Sequence, residues 1–395
     1  MKKIIGVVGS GMIGRNPFDP TCWSRLGYNL FTMAQRQGML RRAFGVEVPH
    51  PLRGVLMLKN VHHDRRMWAG RFNLDPVYYH ALTREIRRGL REDDFQRGDV
   101  ILQIGGHYNG FRASEGRIST YSYHDGNIAG MMKSPFFSKA NLPHARRAFD
   151  YEKSVYQDMS KIFVMAEYWR RSFIDDFGVE PRRVVNIGVG VNMEIPRVVP
   201  KDYSQKHVVF VGIDFPRKGG DTLTTAFRLL QRRHPDATLH IVGPPTIPAA
   251  LQQPGLRNVE YQGALSREVP EQHARLLEVF NKGTLFVLPS LYEPFGNAAL
   301  EAMLFRMPVI ATRNWSFPDF VTNATGLLLD RPTDEKEIAE KMDAYLSDPA
   351  RSEESGNAGR EIVLRRYTWD RVVAAIQREI SPSRSGTELE NPANS

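Results

Sequence analysis

Short apolar runs alternate along this chain with segments in which apolar residues recur at helical spacing. In the second half, the apolar runs predict strands over His207–Ile213, Ala237–Val242, Val259–Tyr261, Leu285–Leu288 and Val309–Ala311. Helical spacing predicts helices over Leu223–Arg233, Glu271–Phe280 and Ala298–Phe305. Strands that alternate with helices in this way indicate a parallel sheet with helices on both faces.

The first half repeats the pattern. It predicts helices near Tyr28–Gln37 and Arg146–Met159 and strands over Ile4–Val8, Gly54–Met57, Val100–Ile104, Arg117–Tyr123, Lys161–Met165 and Val184–Ile187. Between the halves, Val191–Lys206 holds two prolines and few apolar residues, which indicates a linker. We therefore predict an α/β protein of two Rossmann-like domains, residues 1–195 and 206–365, that face each other across a ligand cleft. The tail 381–395 is rich in Ser, Pro, Asn and Glu and is predicted to be disordered.

Composition excludes several classes of protein. Apolar residues make up 42% of the chain, which excludes a mainly disordered protein. The single cysteine, Cys22, excludes a disulfide scaffold and a cysteine-based zinc cluster. No apolar run approaches the ~20 residues of a membrane-spanning helix, and glycines interrupt the apolar start Ile4–Ile13, which favours a strand over a signal peptide. We therefore expect a cytoplasmic protein.

Charge is distributed unevenly between the halves. The chain carries a formal net charge of +9, yet residues 1–200 hold 30 Lys and Arg against 19 Asp and Glu. Residues 201–395 hold 23 against 25, so the basic balance belongs to the first half alone.

A glycine motif follows the first predicted strand. Gly9, Gly11 and Gly14 have the spacing of a dinucleotide-binding fingerprint. Pro17 and Pro20 prevent the helix that this fingerprint requires, and no acidic residue follows at the distance needed to hold a ribose. The motif therefore does not favour an oxidoreductase. It indicates a glycine-rich turn at which a ligand can approach the backbone closely, with Gly11 as the candidate contact.

Two carboxylates flank a predicted helix start in the segment from Leu288 to Met303. Glu293 lies in the loop and Glu301 on the helix, and Phe295, Gly296 and Asn297 between them present free backbone N–H groups. Such a helix start attracts phosphate, and the two carboxylates could accept hydrogen bonds from sugar and ribose hydroxyls. The alternative is an ordinary strand, turn and helix with two solvated glutamates.

Several motifs together resemble one enzyme family. The likeness rests on five parts of the second half. They are the segment Glu293–Glu301 with Pro308–Ala311, the loop Phe210–Gly220 ending in Lys-Gly-Gly, the strand Ala237–Gly243, the turn Thr325–Leu328 and the start of the last helix at Tyr367–Trp369. They resemble the retaining GT-B glycosyltransferases of the "glycosyl transferases group 1" family, family four. The likeness covers about residues 207–380, and it is looser in the first half, at Trp23–Gly38 and Phe177–Asn192.

The resemblance implies roles for the matching residues. Glu301 would hold the donor ribose, Glu293 the hydroxyls of the transferred sugar, and Lys218 the diphosphate. The backbone N–H groups of residues 295–297 would contact the sugar and the diphosphate. The family also implies a UDP-, GDP- or ADP-sugar as donor, no cofactor, no metal ion, and a last helix, about 366–380, that rejoins the first domain.

Three positions depart from the family pattern. Ile213 stands where the family usually has a phosphate-binding arginine, and Arg306 stands where it usually has a glycine. Arg25 occupies a loop position where a small residue is expected. Arg217 or Arg25 could supply the missing cation, so both are candidates for the donor site.

In the first half, polar residues follow two predicted strands. Tyr123-His124-Asp125-Gly126 could place a His–Asp pair at the cleft, where His124 acts as a base or orients a hydroxyl and Asp125 faces the acceptor. The alternative is a histidine that pairs locally with its neighbour. His107, after Gly105-Gly106, is a weaker acceptor-side candidate. His62 and His63 lack further metal ligands in a cluster.

Basic residues of the first half suggest an anionic partner. Arg84, Arg87, Arg88 and Arg91 would form one stripe on a helix, and the segment Met131–Lys139 joins apolar residues to lysines. These features suit peripheral contact with an anionic membrane, although a charged stripe is commonly only a solvated face. No nucleic-acid-binding module accompanies the charge.

The sequence therefore predicts a metal-independent retaining glycosyltransferase, of hexosyltransferase type, with a carbohydrate acceptor, free or lipid-linked. The alternatives are a nucleotide-sugar epimerase on the same fold and a non-catalytic sugar-binding subunit.

Overall fold

The computed structural model describes residues 2–9, 16–20, 25–95 and 97–381. The predictions for Gly11, for the cysteine at position 22 and for the tail from residue 382 onward lie outside the described residues. No described helix is both long and apolar enough to cross a membrane.

The first sheet contains six parallel strands in the order β2-β1-β3-β4-β5-β6. The strands are β1 (Ile4–Gly9), β2 (Leu40–Val46), β3 (Val100–Ile104), β4 (Thr120–His124), β5 (Lys161–Val164) and β6 (Val184–Asn186). The helices of this half are α1 (Leu26–Arg36), α2 (His50–Lys59), α3 (Arg65–Asn73), α4 (Pro76–Gly89), α5 (Gly110–Ala113), α6 (Ile128–Met132), α7 (Leu142–Asp158) and α8 (Glu167–Asp175).

The second sheet also contains six parallel strands, in the order β12-β11-β10-β7-β8-β9. They are β7 (His207–Val211), β8 (Thr238–Val242), β9 (Val259–Gly263), β10 (Leu285–Leu288), β11 (Val309–Thr312) and β12 (Gly326–Leu329). The helices that follow β6 are α9 (Gly220–Leu230), α10 (Pro270–Lys282), α11 (Asn297–Leu304), α12 (Glu335–Leu346), α13 (Pro349–Arg366) and α14 (Trp369–Ile380).

The predicted α/β class is confirmed, and both cores form between a sheet and its helices. Val100–Ile104 and Leu285–Leu288 are strands with the predicted bounds, and every residue in them is buried. Strands buried on both faces read as continuous apolar runs, which is why the pattern located them. Parallel strands also place all their carboxyl ends at one edge, where the loops that follow them gather.

The last helix returns to the first sheet. Helix α14 packs against α1, where the Gln37 side chain donates a hydrogen bond to the Asp370 carbonyl oxygen. Lys161, on β5, forms an ion pair with Glu379. The domain boundaries at 195 and 206 remain predictions, and residues 187–206 between the sheets contain neither helix nor strand.

The sequence analysis of the first half contains one wrong strand and omits one real strand. The predicted strand Gly54–Met57 is wrong, because these residues lie inside helix α2. The real second strand, β2, was missed since it is only half-buried and carries Arg41 and Arg42. These arginines form ion pairs with Asp99 and Asp94, which neutralise their charges. A pattern of apolar residues along the chain does not reveal such pairs.

The helical state of residue 54 has a measurable consequence. Gly54→Ala is expected to raise the free energy of unfolding by about 0.5–1 kcal/mol, because alanine loses less backbone entropy than glycine in a helix and no atom lies within 4 Å of the added Cβ. Urea denaturation measures the change. Gly38 also has open space but a φ of 68°, so Gly38→Ala is expected to destabilise by about 1 kcal/mol. A loss of stability in Gly54→Ala would contradict the helix.

Candidate active site

Lys218 is held at the carboxyl edge of the second sheet by the backbone around it. The loop after β7 turns so that the Lys218 N–H donates to the Asp214 carbonyl oxygen at 3.0 Å. Gly219 has a φ of 77°, and a Cβ there would lie 2.1 Å from the Pro289 carbonyl oxygen. Only glycine fits this position, so the Lys-Gly sequence brings the loop after β7 into contact with the loop after β10.

Lys218 and Glu293 form an ion pair where these two loops meet. Their side chains are 13% and 7% exposed, and Ser290 Oγ lies 3.4 Å from the same Glu293 oxygen. Burial of either charge alone is costly, and the pairing compensates both charges. The structure thus brings together two residues to which the sequence assigned separate roles.

The first turn of α11 begins directly beside this pair. Gly296 precedes the helix with a φ of 90°, and a Cβ there would meet the Phe317 ring at 2.7 Å. The Phe295 ring packs against Phe320 and Tyr367, so only its backbone can face a ligand. Asn297 is the first helical residue, and its buried Oδ1 has no hydrogen-bond partner among the described residues. These three positions form a polar, positively polarised helix start.

Glu301 lies one turn into α11 and is also ion-paired. Its Oε2 accepts a hydrogen bond from Arg267 Nη2 at 2.6 Å, and Arg267 Nη1 donates to the Asn192 carbonyl oxygen at 2.9 Å. Arg267 follows β9 and was missed by sequence reasoning. Nothing in its local sequence distinguishes it, because only the fold brings residue 267 next to residue 301.

Neither candidate for the missing cation points to open space in this structure. Arg217 Nε lies 3.1 Å from Asp214 Oδ2, and its Nη1 donates to the Tyr292 carbonyl oxygen at 2.8 Å. Arg25 Nη2 lies 3.1 Å from Glu268 Oε1. Ile213 itself is 72% exposed. Arg217 therefore joins the loop after β7 to the loop after β10 by its hydrogen bond, and Arg25 joins the start of α1 to the loop after β9 by its ion pair.

The first half of the chain contacts the site loop through helix α8. Trp169 is fully buried, and its indole N–H donates to the Pro294 carbonyl oxygen at 2.6 Å. The Glu167 backbone N–H donates to Asp319 Oδ2 at 2.7 Å. Trp169 was not among the sequence candidates, although it directly supports the residue after Glu293.

Asp125 directly follows β4 and lies near Glu293. Burial raises the pKa of its carboxyl to about 7, and the negative charge of nearby Glu293 acts in the same direction. This interaction indicates that Asp125 lies within electrostatic range of Glu293.

His124 is buried in an aromatic cluster. Its ring contacts Tyr156 and Phe173, and burial lowers its pKa to about 3. Its Nε2 has no hydrogen-bond partner among the described residues. His124 and Asp125 thus lie in different environments. His124 makes no described contact with Lys218 or Glu293, so its catalytic role stays a prediction.

His107, in the loop that follows β3, is exposed and stacks on Tyr79 with 5.0 Å between the ring centroids. Its Nε2 lies 3.7 Å from Glu152 Oε1. Glu152 is buried on α7, where its other oxygen accepts hydrogen bonds from the Tyr156 hydroxyl and the Ile128 N–H. Burial raises the pKa of Glu152 to about 7. This acceptor-side candidate therefore lies on a polar cluster that the sequence did not reveal.

Two other features considered in the sequence are a metal site and a basic stripe. Within the described ranges, no three His, Cys, Asp or Glu side chains are grouped so that they could hold a metal ion. In the predicted basic stripe, Arg87 pairs with Glu115 and Arg88 pairs with Glu85, so part of its charge is neutralised.

Known protein sequences resemble the second half of this chain. Residues 192–362 match the family described as "Glycosyl transferases group 1". A 180-residue stretch is 31% identical to alpha-maltose-1-phosphate synthase of Mycolicibacterium smegmatis and covers 42% of this chain and 46% of that protein. A 251-residue stretch is 27% identical to the GDP-mannose-dependent monoacylated alpha-(1-6)-phosphatidylinositol monomannoside mannosyltransferase of Corynebacterium glutamicum, covering 58% and 63%. The chain thus spans about half to two thirds of these relatives.

Solved structures extend the likeness over nearly the whole chain. Sucrose-phosphate synthase from Thermosynechococcus elongatus superposes with a TM-score of 0.69 at 16% identity and covers 96% of this chain and 98% of its own. WaaG, a glycosyltransferase involved in lipopolysaccharide biosynthesis, superposes with a TM-score of 0.67 at 16% identity, covering 96% and 100%. At this identity the likeness concerns the fold, and it confirms the predicted GT-B architecture.

Proposed function

We propose that this chain, whose residues 192–362 belong to the glycosyl transferases group 1 family, is a glycosyltransferase that uses a nucleoside-diphosphate sugar. It transfers the sugar from UDP, GDP or ADP to a hydroxyl of a carbohydrate acceptor, with retention of anomeric configuration and without a metal ion. The observation that carries the proposal is the buried Lys218–Glu293 pair beside the start of α11.

The diphosphate of the donor lies between the Lys218 ammonium group and the first turn of α11. The backbone N–H groups of residues 295–297 and the positive end of the helix dipole stabilise its charge. When the bond between the sugar and the diphosphate breaks, negative charge develops on the leaving oxygen. A fixed ammonium group beside that oxygen stabilises the transition state more than the ground state.

The two glutamates bind opposite ends of the donor. Donor binding separates the Lys218–Glu293 pair, so that Lys218 turns to the diphosphate and Glu293 accepts hydrogen bonds from hydroxyls of the transferred sugar. Glu301 accepts hydrogen bonds from the ribose, and Arg267 holds its carboxylate in place. The charges exchange partners and remain compensated throughout.

Retention follows from attack on the face that the diphosphate leaves. The acceptor oxygen forms its bond to the anomeric carbon while the bond from that carbon to the diphosphate oxygen breaks. The acceptor proton passes to the departing diphosphate, so no enzyme nucleophile takes part. Asp125, which lies near enough to Glu293 for their charges to interact, orients the acceptor hydroxyl.

We further propose that the carbohydrate acceptor is lipid-linked. A relative that is 27% identical is named for a phosphatidylinositol mannoside acceptor, which supports an acceptor held in a membrane. The basic first half suits peripheral contact with an anionic membrane at the cytoplasmic face.

A non-catalytic sugar-binding subunit is the second candidate. The exposed Ile213 favours it, because it occupies the position of the family's second phosphate-binding cation. Loss of one cation weakens donor binding and transition-state stabilisation alike.

A donor screen separates these possibilities. The purified chain is incubated with UDP-, GDP- and ADP-sugars, and release of the nucleoside diphosphate is measured with and without sugar acceptors. We expect slow release from one class of donor without acceptor and faster release with one. Absence of release from every donor favours the non-catalytic subunit. Conversion of a donor to its epimer without diphosphate release favours an epimerase.

A further inference from the structure

Trp169, on helix α8, packs against the segment that follows β4. A Cβ on Gly130 would lie 2.2 Å from its ring, and a Cβ on Gly126 would lie 3.5 Å from it. Gly126 comes directly after Asp125, and Gly130 lies on α6. The indole therefore lies close to the backbone of the segment that carries Asp125, the residue proposed to orient the acceptor.

The same indole also contacts two loops of the second sheet. Its N–H donates to the carbonyl oxygen of Pro294 at 2.6 Å, and Pro294 comes directly after Glu293. Its ring stacks with Trp315, which follows β11, with 6.3 Å between the ring centroids. Trp169 is fully buried, so its indole is fixed by close packing. One side chain of the first half thus contacts both the acceptor-side segment and the loop that carries Glu293.

Trp315 strengthens this contact from the second half of the chain. Its backbone has a φ of 60°, a left-handed conformation that is unfavourable for a bulky residue and persists only where packing maintains it. Its buried ring packs against Tyr292 and Tyr168, with 4.8 Å and 4.9 Å between the ring centroids. Tyr292 and Pro294 flank Glu293, so the two tryptophans between them hold both neighbours of this glutamate.

We propose that Trp169 is a positioning residue that holds the acceptor-side segment at a fixed distance from Glu293. The inference rests on the proposed function and deepens it, because it explains how transfer to an acceptor is favoured over transfer to water.

Transfer and hydrolysis differ only in the attacking oxygen. In transfer, the acceptor oxygen forms a bond to the anomeric carbon while the bond from that carbon to the diphosphate oxygen breaks, and the acceptor proton passes to the diphosphate. In hydrolysis, a water molecule takes the place of the acceptor in the same step. Water reaches the anomeric carbon without a binding segment, whereas an acceptor hydroxyl must be held in line for attack. A loss of positioning therefore affects transfer more than hydrolysis.

Glu293 also has contacts that do not involve Trp169. It is paired with Lys218, and the carbonyl oxygen of Phe295 accepts a hydrogen bond from the Ser316 hydroxyl. Both contacts lie within the second half of the chain. Loss of the Trp169 N–H is therefore expected to disturb the relation between the acceptor-side segment and the loop, while the donor remains bound.

The ratio of acceptor transfer to donor hydrolysis tests this role. Trp169→Phe keeps an aromatic ring and removes the N–H that Pro294 accepts. On the donor identified by the screen, we expect kcat for acceptor transfer to fall about tenfold, while the donor KM and the hydrolysis rate without acceptor stay within about twofold of wild type. A role in folding alone would lower both rates together, because it reduces the amount of active protein.

Trp369→Phe is the matched control. Trp369 is also a buried indole packed on a glycine, since a Cβ on Gly190 would lie 2.3 Å from its ring. Its N–H, in contrast, has no hydrogen-bond partner among the described residues. The same substitution at this position is expected to leave the ratio of transfer to hydrolysis unchanged.

A second variant disturbs the contact from the acceptor side. Gly130→Ala places a methyl group where the Trp169 ring lies, so the ring must move. We expect the ratio of transfer to hydrolysis to fall as it does in Trp169→Phe. The atoms nearest to the new methyl group belong to the part of the indole that phenylalanine lacks. Gly130→Ala is therefore expected to add little in the Trp169→Phe background.

Several results would overturn the positioning role. They are an unchanged ratio in Trp169→Phe, a proportional loss of both rates, or an equal change of the ratio in Trp369→Phe. Independent, additive losses in Gly130→Ala and Trp169→Phe would also contradict it. If circular dichroism shows that Trp169→Phe does not fold, the ratio in Gly130→Ala decides. Absence of diphosphate release by wild type from every donor would instead refute the proposed function, so the two failures are distinguishable.

Discussion

Lys218→Gln is expected to lower the rate of donor-dependent diphosphate release by about 10²- to 10³-fold. The substitution leaves a polar side chain of similar length and removes the ammonium charge that we propose stabilises the leaving group. The loss falls mainly on kcat, because the charge that Lys218 stabilises grows as the sugar–phosphate bond breaks. Steady-state kinetics on the donor identified by the screen measure kcat and KM separately.

Two control variants make the Lys218 result specific. Lys218→Arg keeps the positive charge and is expected to retain more activity than Lys218→Gln, although the planar guanidinium fits the confined position less well. Lys282→Gln removes an exposed lysine at the end of α10 and is expected to leave kcat unchanged. A reduction below about tenfold in Lys218→Gln would contradict the role in stabilising the leaving diphosphate.

Glu293→Gln is expected to destabilise the folded protein by up to about 3 kcal/mol, the lower end of the range for breaking a buried ion pair. The side chain keeps its shape, but the ammonium group of Lys218 remains 13% exposed without its counterion. Urea denaturation in the absence of donor measures the free energy of unfolding. The exposed pair Glu278–Lys282 is the matched control, and Glu278→Gln is expected to have a much smaller effect, because solvent screens this pair.

A double-mutant cycle separates pairing from general damage to the site. Lys218→Met in the Glu293→Gln background is expected to recover most of the lost stability, because it removes the unpaired charge. Additive destabilisation by the two substitutions would contradict the pairing.

The loss of folding stability expected for Glu293→Gln depends on pH. Asp125 has a pKa raised to about 7, so at about pH 5.5 its carboxyl is mostly protonated and cannot replace Glu293 as a counterion. At about pH 8 it is ionised, and we expect a smaller loss of stability in Glu293→Gln. The same loss at both pH values would indicate that Asp125 does not interact with the Lys218 site.

The family resemblance and the candidate donor site could be predicted from local sequence to different degrees. Lys218, Gly219, Gly296 and Glu301 lie in short motifs whose spacing follows from one strand, one turn and one helix start. Arg267 and Trp169 lie outside any such motif and reach the site across 34 and 125 residues of chain, to Glu301 and Pro294. A contact of this kind depends on the packing of whole elements, which no local pattern contains.

The sequence by itself determined the two α/β halves and most of their buried strands, because burial on both faces forces continuous apolar runs that are visible along the chain. It also located the unequal charge and the segment from Leu288 to Met303. Only the tertiary structure decided that Lys218 and Glu293 are partners, that His124 is buried in an aromatic cluster while Asp125 lies near Glu293, and that α2 rather than a strand occupies residues 50–59. The physical reason is that partnership and exposure are properties of three-dimensional packing, whereas periodicity records only that a residue type recurs.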